Sequence, residues 1–398
     1  MSAISQWVPS VLRGPLDKLA GVESILIFGD TVRCPELRVE VPHSVADPFL
    51  YVERNGDRYT VVRSLEAARM SEIHGMTVLP LESLGLDEYV ARGLDADAAM
   101  LEIAARACRE LGVEQATVPP AFPLELADRL RADGVALEVD RALFSARRRS
   151  KTPLQLEGIR RAQVAAEAGT AAAAELLRAA EPVDDVLQLD GEPLTSERLK
   201  QAVAAAFLAN GATAEDFIVA HGEQTCIGHH MGSGPIRLGE PITVDLWPRD
   251  VESGFYTDIT RTFVVGPVSE ELADYHRLCL EVHERVIPAI KPGVTGRELH
   301  TIASEVIEAG GYPTQLSKKP GEVLLEGFFH GLGHGVGLDV HEEPSLDLSG
   351  GELVAGDVVA VEPGCYRRGY GGVRLEDLVL VTEDGAEVLT SYPYALAP

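Results

Sequence analysis

The sequence predicts a two-domain α/β protein whose second domain is built from two copies of one unit. Three observations carry this: short apolar runs alternating with helical patterns over the first 145 residues, a basic polar joint at 146–152, and an ungapped internal match at an offset of 100 residues beyond that joint. Strands that alternate with helices argue an α/β layer structure. A length of 398 residues suits two or three domains, each able to bury a core.

In the first domain the apolar runs are SILIFG (24–29), PFLYVER (48–54), RYTVVRS (58–64) and GMTVLPL (75–81), and the clearest helix covers 94–111. Only two of the eleven histidines, His43 and His74, fall here, and no catalytic residue types cluster, so this reads as a supporting domain. The stretch ARRRSKT then gives way to an alanine-rich helix starting at Pro153, where proline suits the first turn. The boundary is therefore set there, giving domains 1–150 and 151–398.

Beyond it, LTSERLKQAVAAAFLANGA (194–212) and VTGRELHTIASEVIEAGGY (294–312) match without a gap, and both read as amphipathic helices closed by glycine. A second match follows. GEPITVD ends at Asp245 and GDVVAVE ends at Glu362; Asp258 lies thirteen residues past the first and Glu376 fourteen past the second. Each half supplies a strand, a loop and a return strand, with one acid on each strand. Repeated helix–strand units arise as pure architecture, but architecture does not account for carboxylates inside apolar runs, where ionised groups are costly unless paired or bound to metal.

Charge and cysteine usage exclude other classes. The 35 Lys+Arg against 62 Asp+Glu leave a formal net charge of −27, which repels nucleic acid and anionic lipid; the densest basic run, 147–151, is short. The opening MSAISQWVPSVLRGPLDKLAG lacks a basic segment leading into an apolar core, and no run approaches the ~18 apolar residues of a membrane span. A cytoplasmic location is expected, with no nucleic-acid and no membrane partner. Five scattered cysteines without a C-x-x-C pair signal neither disulfides nor a zinc-thiolate site.

Four converging carboxylates repel one another unless cations sit between them. Oxygen-rich sites with one imidazole suit manganese, cobalt, zinc or ferrous iron. The imidazole is expected from FFHGLGHGVGLDVHEEP (328–344), where His334 stands between Gly333 and Gly335 and is flanked by His330 and His341; His229 and His230 lie upstream in CIGHHMGSG. The glycines would let backbone and metal approach closely. His276, His283 and His300 read as ordinary helix histidines. Two metals sharing carboxylates activate water and polarise a carbonyl, which is the chemistry of amide or ester hydrolysis, with a glutamate moving the proton and imidazoles binding the oxyanion. Arg374, two residues before Glu376, either anchors a substrate carboxylate or neutralises the acids.

These motifs carry a resemblance. VDLWPRDVESGFYTDITRTF, GFFHGLGHGVGLDVHEEP and VEPGCYRRGYGGVRLED, in that order, make residues 151–398 similar to the pita-bread (M24-type) metallopeptidases, which comprise Xaa-Pro aminopeptidases, Xaa-Pro dipeptidases (prolidases) and methionine aminopeptidases. The resemblance implies a pita-bread α+β catalytic domain with an internal pseudo-twofold repeat. It implies a two-metal set on Asp245, Asp258, His334, Glu362 and Glu376, with Asp258 and Glu376 bridging and Glu362 also the proton shuttle. His330, His341 and Arg374 match substrate-binding positions of the prolyl branch, and either His229 or His230 matches its upstream histidine, with His229 favoured; His229 and His341 are expected to take part in catalysis.

The first domain resembles, more weakly, the N-terminal domain of the creatinase and prolidase branch. That tips the expected substrate toward short peptides with proline second, whose tertiary amide has no N–H. The implied cofactors are two divalent metal ions, manganese first with cobalt, zinc or iron as alternatives, and the implied assembly is a homodimer. Two departures stand out: the Asp245 to Asp258 gap is two residues longer than usual in the family, and the stretch before Asp245 is one residue short. Asp250 and Glu252 in the longer loop read as solvated charges. The competing readings are a methionine aminopeptidase-like enzyme, a creatinase-like C–N hydrolase and a non-catalytic binding module of the same fold.

Overall fold

The computed structural model describes residues 24–398, so the N-terminal stretch read above for a signal segment lies outside them. The chain divides into two compact units, one ending at Phe144 and one spanning Ser145–Pro398. Among the described residues no helix is long and apolar enough to cross a membrane. All five cysteines are free thiols.

The first unit runs β1 (Ser24–Gly29), α1 (Pro35–Glu40), β2 (Phe49–Arg54), β3 (Asp57–Val62), α2 (Ser64–Ser71), β4 (Met76–Pro80), α3 (Leu86–Ala91), α4 (Ala96–Glu110), β5 (Gln115–Val118), α5 (Leu124–Ala132) and β6 (Ala136–Val139). Its sheet has the order β4-β3-β2-β1-β5-β6. The run SILIFG is apolar throughout because both of its faces are covered. Ile25 and Ile27 pack with Leu37 and Phe49 on one side, while Leu26 packs with Leu50 and Ile103 on the other. Between β2 and β3, Asn55 and Gly56 take φ of 52° and 88°, the left-handed pair that a tight hairpin needs. Asp95 caps α4 by accepting from the Ala98 N–H at 2.8 Å.

At the boundary α6 (Arg141–Arg149) is followed by α7 (Pro153–Ala179), which Thr152 and Gln155 start with a reciprocal capping box. Then come β7 (Glu181–Val183), β8 (Val186–Leu189), β9 (Glu192–Pro193), α8 (Ser196–Ala209), β10 (Ala212–Thr213), β11 (Ile218–His221), β12 (Pro241–Leu246), β13 (Arg249–Asp250), β14 (Ile259–Val264), α9 (Glu270–Val286) and α10 (Gly296–Ala309). The second half ends with β15 (Glu326–Gly327), β16 (Gly333–Gly335), β17 (Glu342–Leu346), β18 (Val358–Val361), β19 (Gly364–Arg367), β20 (Gly371–Arg374), β21 (Asp377–Val381) and β22 (Ala386–Val388).

The internal match is realised in three dimensions. Helices α8 and α10 start and end 100 residues apart, capped by Thr195 and Thr295. The sheet β11-β12-β14 has its counterpart in β16-β18-β21 within the larger sheet β17-β16-β18-β21-β22. Both β12–β14 and β18–β21 are antiparallel pairs. The halves are joined where the Glu376 N–H donates to Thr260 O at 3.0 Å and the Arg374 N–H donates to Thr262 Oγ1 at 3.1 Å. Helices α7 and α8 cover one half around Val203, Phe207, Val244 and Phe263, and α9 and α10 cover the other around Val282, Ile307, Val359 and Val379.

Candidate metal centre

The two hairpins deliver their acids by register. Asp245 lies within β12 opposite Thr260, Asp258 immediately precedes β14, and Glu362 and Glu376 stand just beyond the paired residues Val361 and Asp377 of β18 and β21. Asp245 is inside its strand, and the other three acids occupy strand margins, where a side chain can leave the ladder.

Asp258 and Glu376 are 4% and 2% exposed. Donor atoms of Asp258, His334 and Glu376 lie within 4.8 Å of one another. Burial first, then the charge of Glu376, Asp245 and Glu362, pushes the Asp258 carboxyl well above its ordinary value. Burial, then the charge of Glu362 and Asp245, raises Glu376, although Thr260 Oγ1 donates to its Oε2 at 2.7 Å. Burial lifts Glu362 to about 7 against the lowering effect of Arg374. The Asp258 Oδ1 oxygen is buried without a hydrogen-bond partner. Such a cluster is unfavourable as bare charge and suited to divalent cations.

His334 completes this pattern. Its Nδ1 faces the Gly335 carbonyl at 3.1 Å, so Nδ1 carries the proton and donates. The Nε2 lone pair is left toward Glu362 Oε1 at 3.7 Å and Asp258 Oδ2 at 3.9 Å. Burial, then His341, lowers the ring to about 4, which keeps it neutral as a ligand must be. The flanking glycines are needed for strand approach: a Cβ at Gly333 would sit 1.9 Å from Ala360 O, and one at Gly335 2.4 Å from Glu343 O.

The remaining histidines separate. His330 donates from Nδ1 to Gly331 O at 2.7 Å, and its Nε2 accepts from the Tyr366 hydroxyl at 2.9 Å. Burial lowers it to about 3. His341 stacks edge-on to His334 with centroids 4.2 Å apart, and burial followed by the charge of His229 lowers it too. His229 is exposed, and its charge acts on both His330 and His341. His230, the other candidate for the upstream position and for substrate binding, accepts the Gly232 N–H on its Nδ1 at 3.0 Å, which leaves Nε2 to donate. His300 departs from the ordinary reading, being fully buried with neither ring nitrogen hydrogen-bonded.

Arg374 takes up the second of its two expected readings. Its Nη2 ion-pairs with Asp245, its Nε reaches Thr260 Oγ1 at 3.4 Å, and its Nη1 reaches Tyr366 Oη at 3.4 Å. The side chain is 7% exposed over the whole residue, so the geometry supports neutralising the acids rather than anchoring a substrate carboxylate. Asp250 corrects its reading as a solvated charge. It is 4% exposed, bound in a fork by Arg161 at 3.0 and 2.8 Å and by the Ser253 N–H at 2.8 Å, whereas Glu252 is exposed. The lengthened loop is thus pinned to α7.

Tyr366 was not singled out from sequence. Its buried hydroxyl bridges His330 and Arg374, and burial raises its pKa so that it stays a donor. The available signal was glycine: a Cβ at Gly364 or Gly372 would lie 2.1 or 2.3 Å from the tyrosine ring system, so both positions are cleared for it.

Residues 157–383 match the model of metallopeptidase family M24, more than half of the chain. The chain belongs to that family. It is 36% identical over 221 residues to an Xaa-Pro dipeptidase of Pyrococcus furiosus, spanning 54% of this chain and 60% of that relative. It is 34% identical over 198 residues to a probable dipeptidase PepE of Mycobacterium tuberculosis, spanning 49% of each. These matches therefore leave at least two fifths of each relative's length uncovered. Among solved structures, an X-Pro aminopeptidase from Thermotoga maritima superposes with a TM-score of 0.76 at 23% identity, covering 95% of this chain and 98% of that one. A prolidase from Pyrococcus furiosus gives 0.73 at 24%, covering 95% and 98%. The fold is accordingly the two-domain pita-bread architecture.

Proposed function

We propose that the chain is a dinuclear-metal hydrolase that cleaves the bond between the first residue of a short peptide and a proline at the second position. The observation that supports this reading is the grouping of Asp258, His334 and Glu376 within 4.8 Å, with Glu362 3.7 Å from His334, the charge of Asp245 acting on Asp258, and an unpartnered oxygen on Asp258. Asp258 and Glu376 would bridge two divalent ions, Asp245 would complete one shell, and His334 with Glu362 the other. When bound, the metals supply Lewis acidity toward a carbonyl and an activated water.

The chain's own groups supply the rest. Glu362, raised to about 7, can accept a proton on a carboxylate oxygen and return it to the leaving nitrogen near neutral pH. Neutral His341 and the ring of His229 offer N–H donors for a developing oxyanion. Arg374 offsets the charge of Asp245, and Tyr366 fixes the tautomer and direction of His330. The names of the Xaa-Pro dipeptidase and dipeptidase relatives support the substrate class, and the first unit supports the prolyl branch over a methionine aminopeptidase. The intact five-residue set disfavours a metal-free creatinase-like hydrolase and a non-catalytic module. Manganese as the working metal, a homodimer and a cytoplasmic location belong to the same proposal.

The test is release of proline from Ala-Pro, and of alanine from Ala-Pro-Ala, by chelator-stripped protein titrated with manganese. Metal-dependent cleavage supports the reading, and the ratio of the two substrates separates dipeptidase from aminopeptidase. Metal binding without cleavage of either would move the assignment to another C–N substrate.

A further inference from the structure

The basic stretch that marks the boundary in the sequence is drawn into the interior of the second unit. Lys151 Nζ ion-pairs with Glu342 Oε1 and donates to Arg148 O at 2.7 Å. Arg148 Nη2 lies 2.6 Å from Glu342 Oε2 and 2.7 Å from Asp339 Oδ2, and its Nε donates to Glu342 Oε2 at 3.2 Å. The side chains of Lys151, Arg148 and Glu342 are only 2%, 9% and 5% exposed. The cations are themselves held from behind: the Lys151 N–H donates to Gly356 O at 3.1 Å, and Arg149 forks onto the buried Asp357. Replacing such a group by packed apolar side chains would typically cost little stability, so a buried charge cluster directs attention to orientation.

What it orients is visible in the register. Glu342 opens β17 and pairs with Gly335, across the irregularity that separates His334 from Gly335. Gly337 makes room for the carboxylate, since a Cβ there would lie 2.4 Å from Glu342 Oε1. The residue before Glu342 is His341, exposed and edge-on to His334. The connection between them is held at its start by Val336 N–H to Val358 O and Tyr256 N–H to Gly337 O, both 2.8 Å, and within by Gly337 N–H to Asp339 O at 3.0 Å. Asp339 is tied to Arg148 within the connection, and the carboxylate of Glu342 is the fixed point directly after His341.

We propose that Glu342, gripped by Arg148 and Lys151, is a positioning residue that holds His341 against His334. This rests on the reading of His341 as a histidine that serves the reaction. The cations do not touch substrate; they act through Glu342, and the boundary stretch becomes part of the site's framework.

Full-length Lys151→Met and Glu342→Gln proteins test it, by amide hydrogen exchange in the metal-free state and by steady-state cleavage of Ala-Pro with manganese. Exchange at residues 337–342 should rise at least tenfold while α10 and β12 are unchanged, and kcat/KM should fall at least tenfold. Lys151→Arg should bring both back to within threefold. Because the effect runs through His341, adding His341→Ala to Lys151→Met should cost little beyond the larger single loss. Unchanged exchange, exchange raised equally throughout the unit, or losses that multiply would overturn the proposal. If Lys151→Met does not fold, Glu342→Gln carries the same readouts. A parent protein that fails to cleave Ala-Pro refutes the substrate assignment, and the exchange pattern still decides the clamp.

Discussion

Arg374, the last residue of β20, ion-pairs across the duplication with Asp245 of β12, so a cation from the second half is fixed on an acid of the first. Both residues are buried and the pair lies beside three further carboxylates. Arg374→Met should therefore destabilise the metal-free protein by about 3–5 kcal/mol, the typical cost of leaving one buried charge unpaired. Urea unfolding with and without manganese checks this. The deficit should narrow with metal, because added cations take over the neutralisation; an equal deficit in both states would argue against that role.

Asp258→Asn and Glu376→Gln each remove a bridging carboxylate. Manganese at a hundred times its dissociation constant should stabilise the parent by about 2.7 kcal/mol. Both variants should lose most of that gain and at least a hundredfold in proline release, while keeping the parent's far-UV spectrum. Full activity in either would refute the two-metal assignment.

His221 and Glu240 form a pair 2.9 Å apart at the base of the loop that carries His229. Burial pulls His221 down, but the hydrogen bond and charge of Glu240 leave it raised above 6.5. Burial pushes Glu240 up, yet His221 and the Arg237 N–H leave it below 4.5. The histidine's contribution is complete below its unfolded pKa and is lost as pH rises through the raised folded one. The glutamate's is complete above its unfolded pKa and is lost as pH falls through the lowered one. Glu240→Gln should thus cost about 1.5 kcal/mol near pH 5.5 and less at pH 9, the usual scale for a charge-assisted bond. Urea unfolding at the two pH values tests the sign.

Gly333→Ala should cost about 3 kcal/mol or more, because its Cβ meets the Ala360 carbonyl, a backbone atom that cannot swing away. Gly351→Ala, where nothing lies within 4 Å, is the control and should change stability by less than about 0.5 kcal/mol. Thermal unfolding compares them.

The acids, the duplication and His334 were legible because each breaks or repeats a local pattern: a carboxylate ending an apolar run, a helix recurring at a fixed offset, an imidazole between glycines. Partnership across the fold leaves no such mark. Asp250 looks like any loop acid until Arg161 of α7 lies against it, and Arg374 offers two equally reasonable partners until β20 is seen beside β14. His229 and His230 are adjacent in the chain, a choice that spacing alone does not resolve. Tyr366 was obscured because its signature is the absence of side chains at Gly364 and Gly372, not anything about the tyrosine.

The Glu376 N–H to Thr260 O bond carries an implication for assembly. Each half contributes only two of the four acids, from hairpins more than a hundred residues apart in the chain. Contacts of such long sequence separation form late, since loop closure must precede them. Nascent chain that has completed only its first hairpin holds Asp245 and Asp258 without Glu362 and Glu376, so tight retention of metal can mark the docking of the second hairpin onto the first and report the completion of folding.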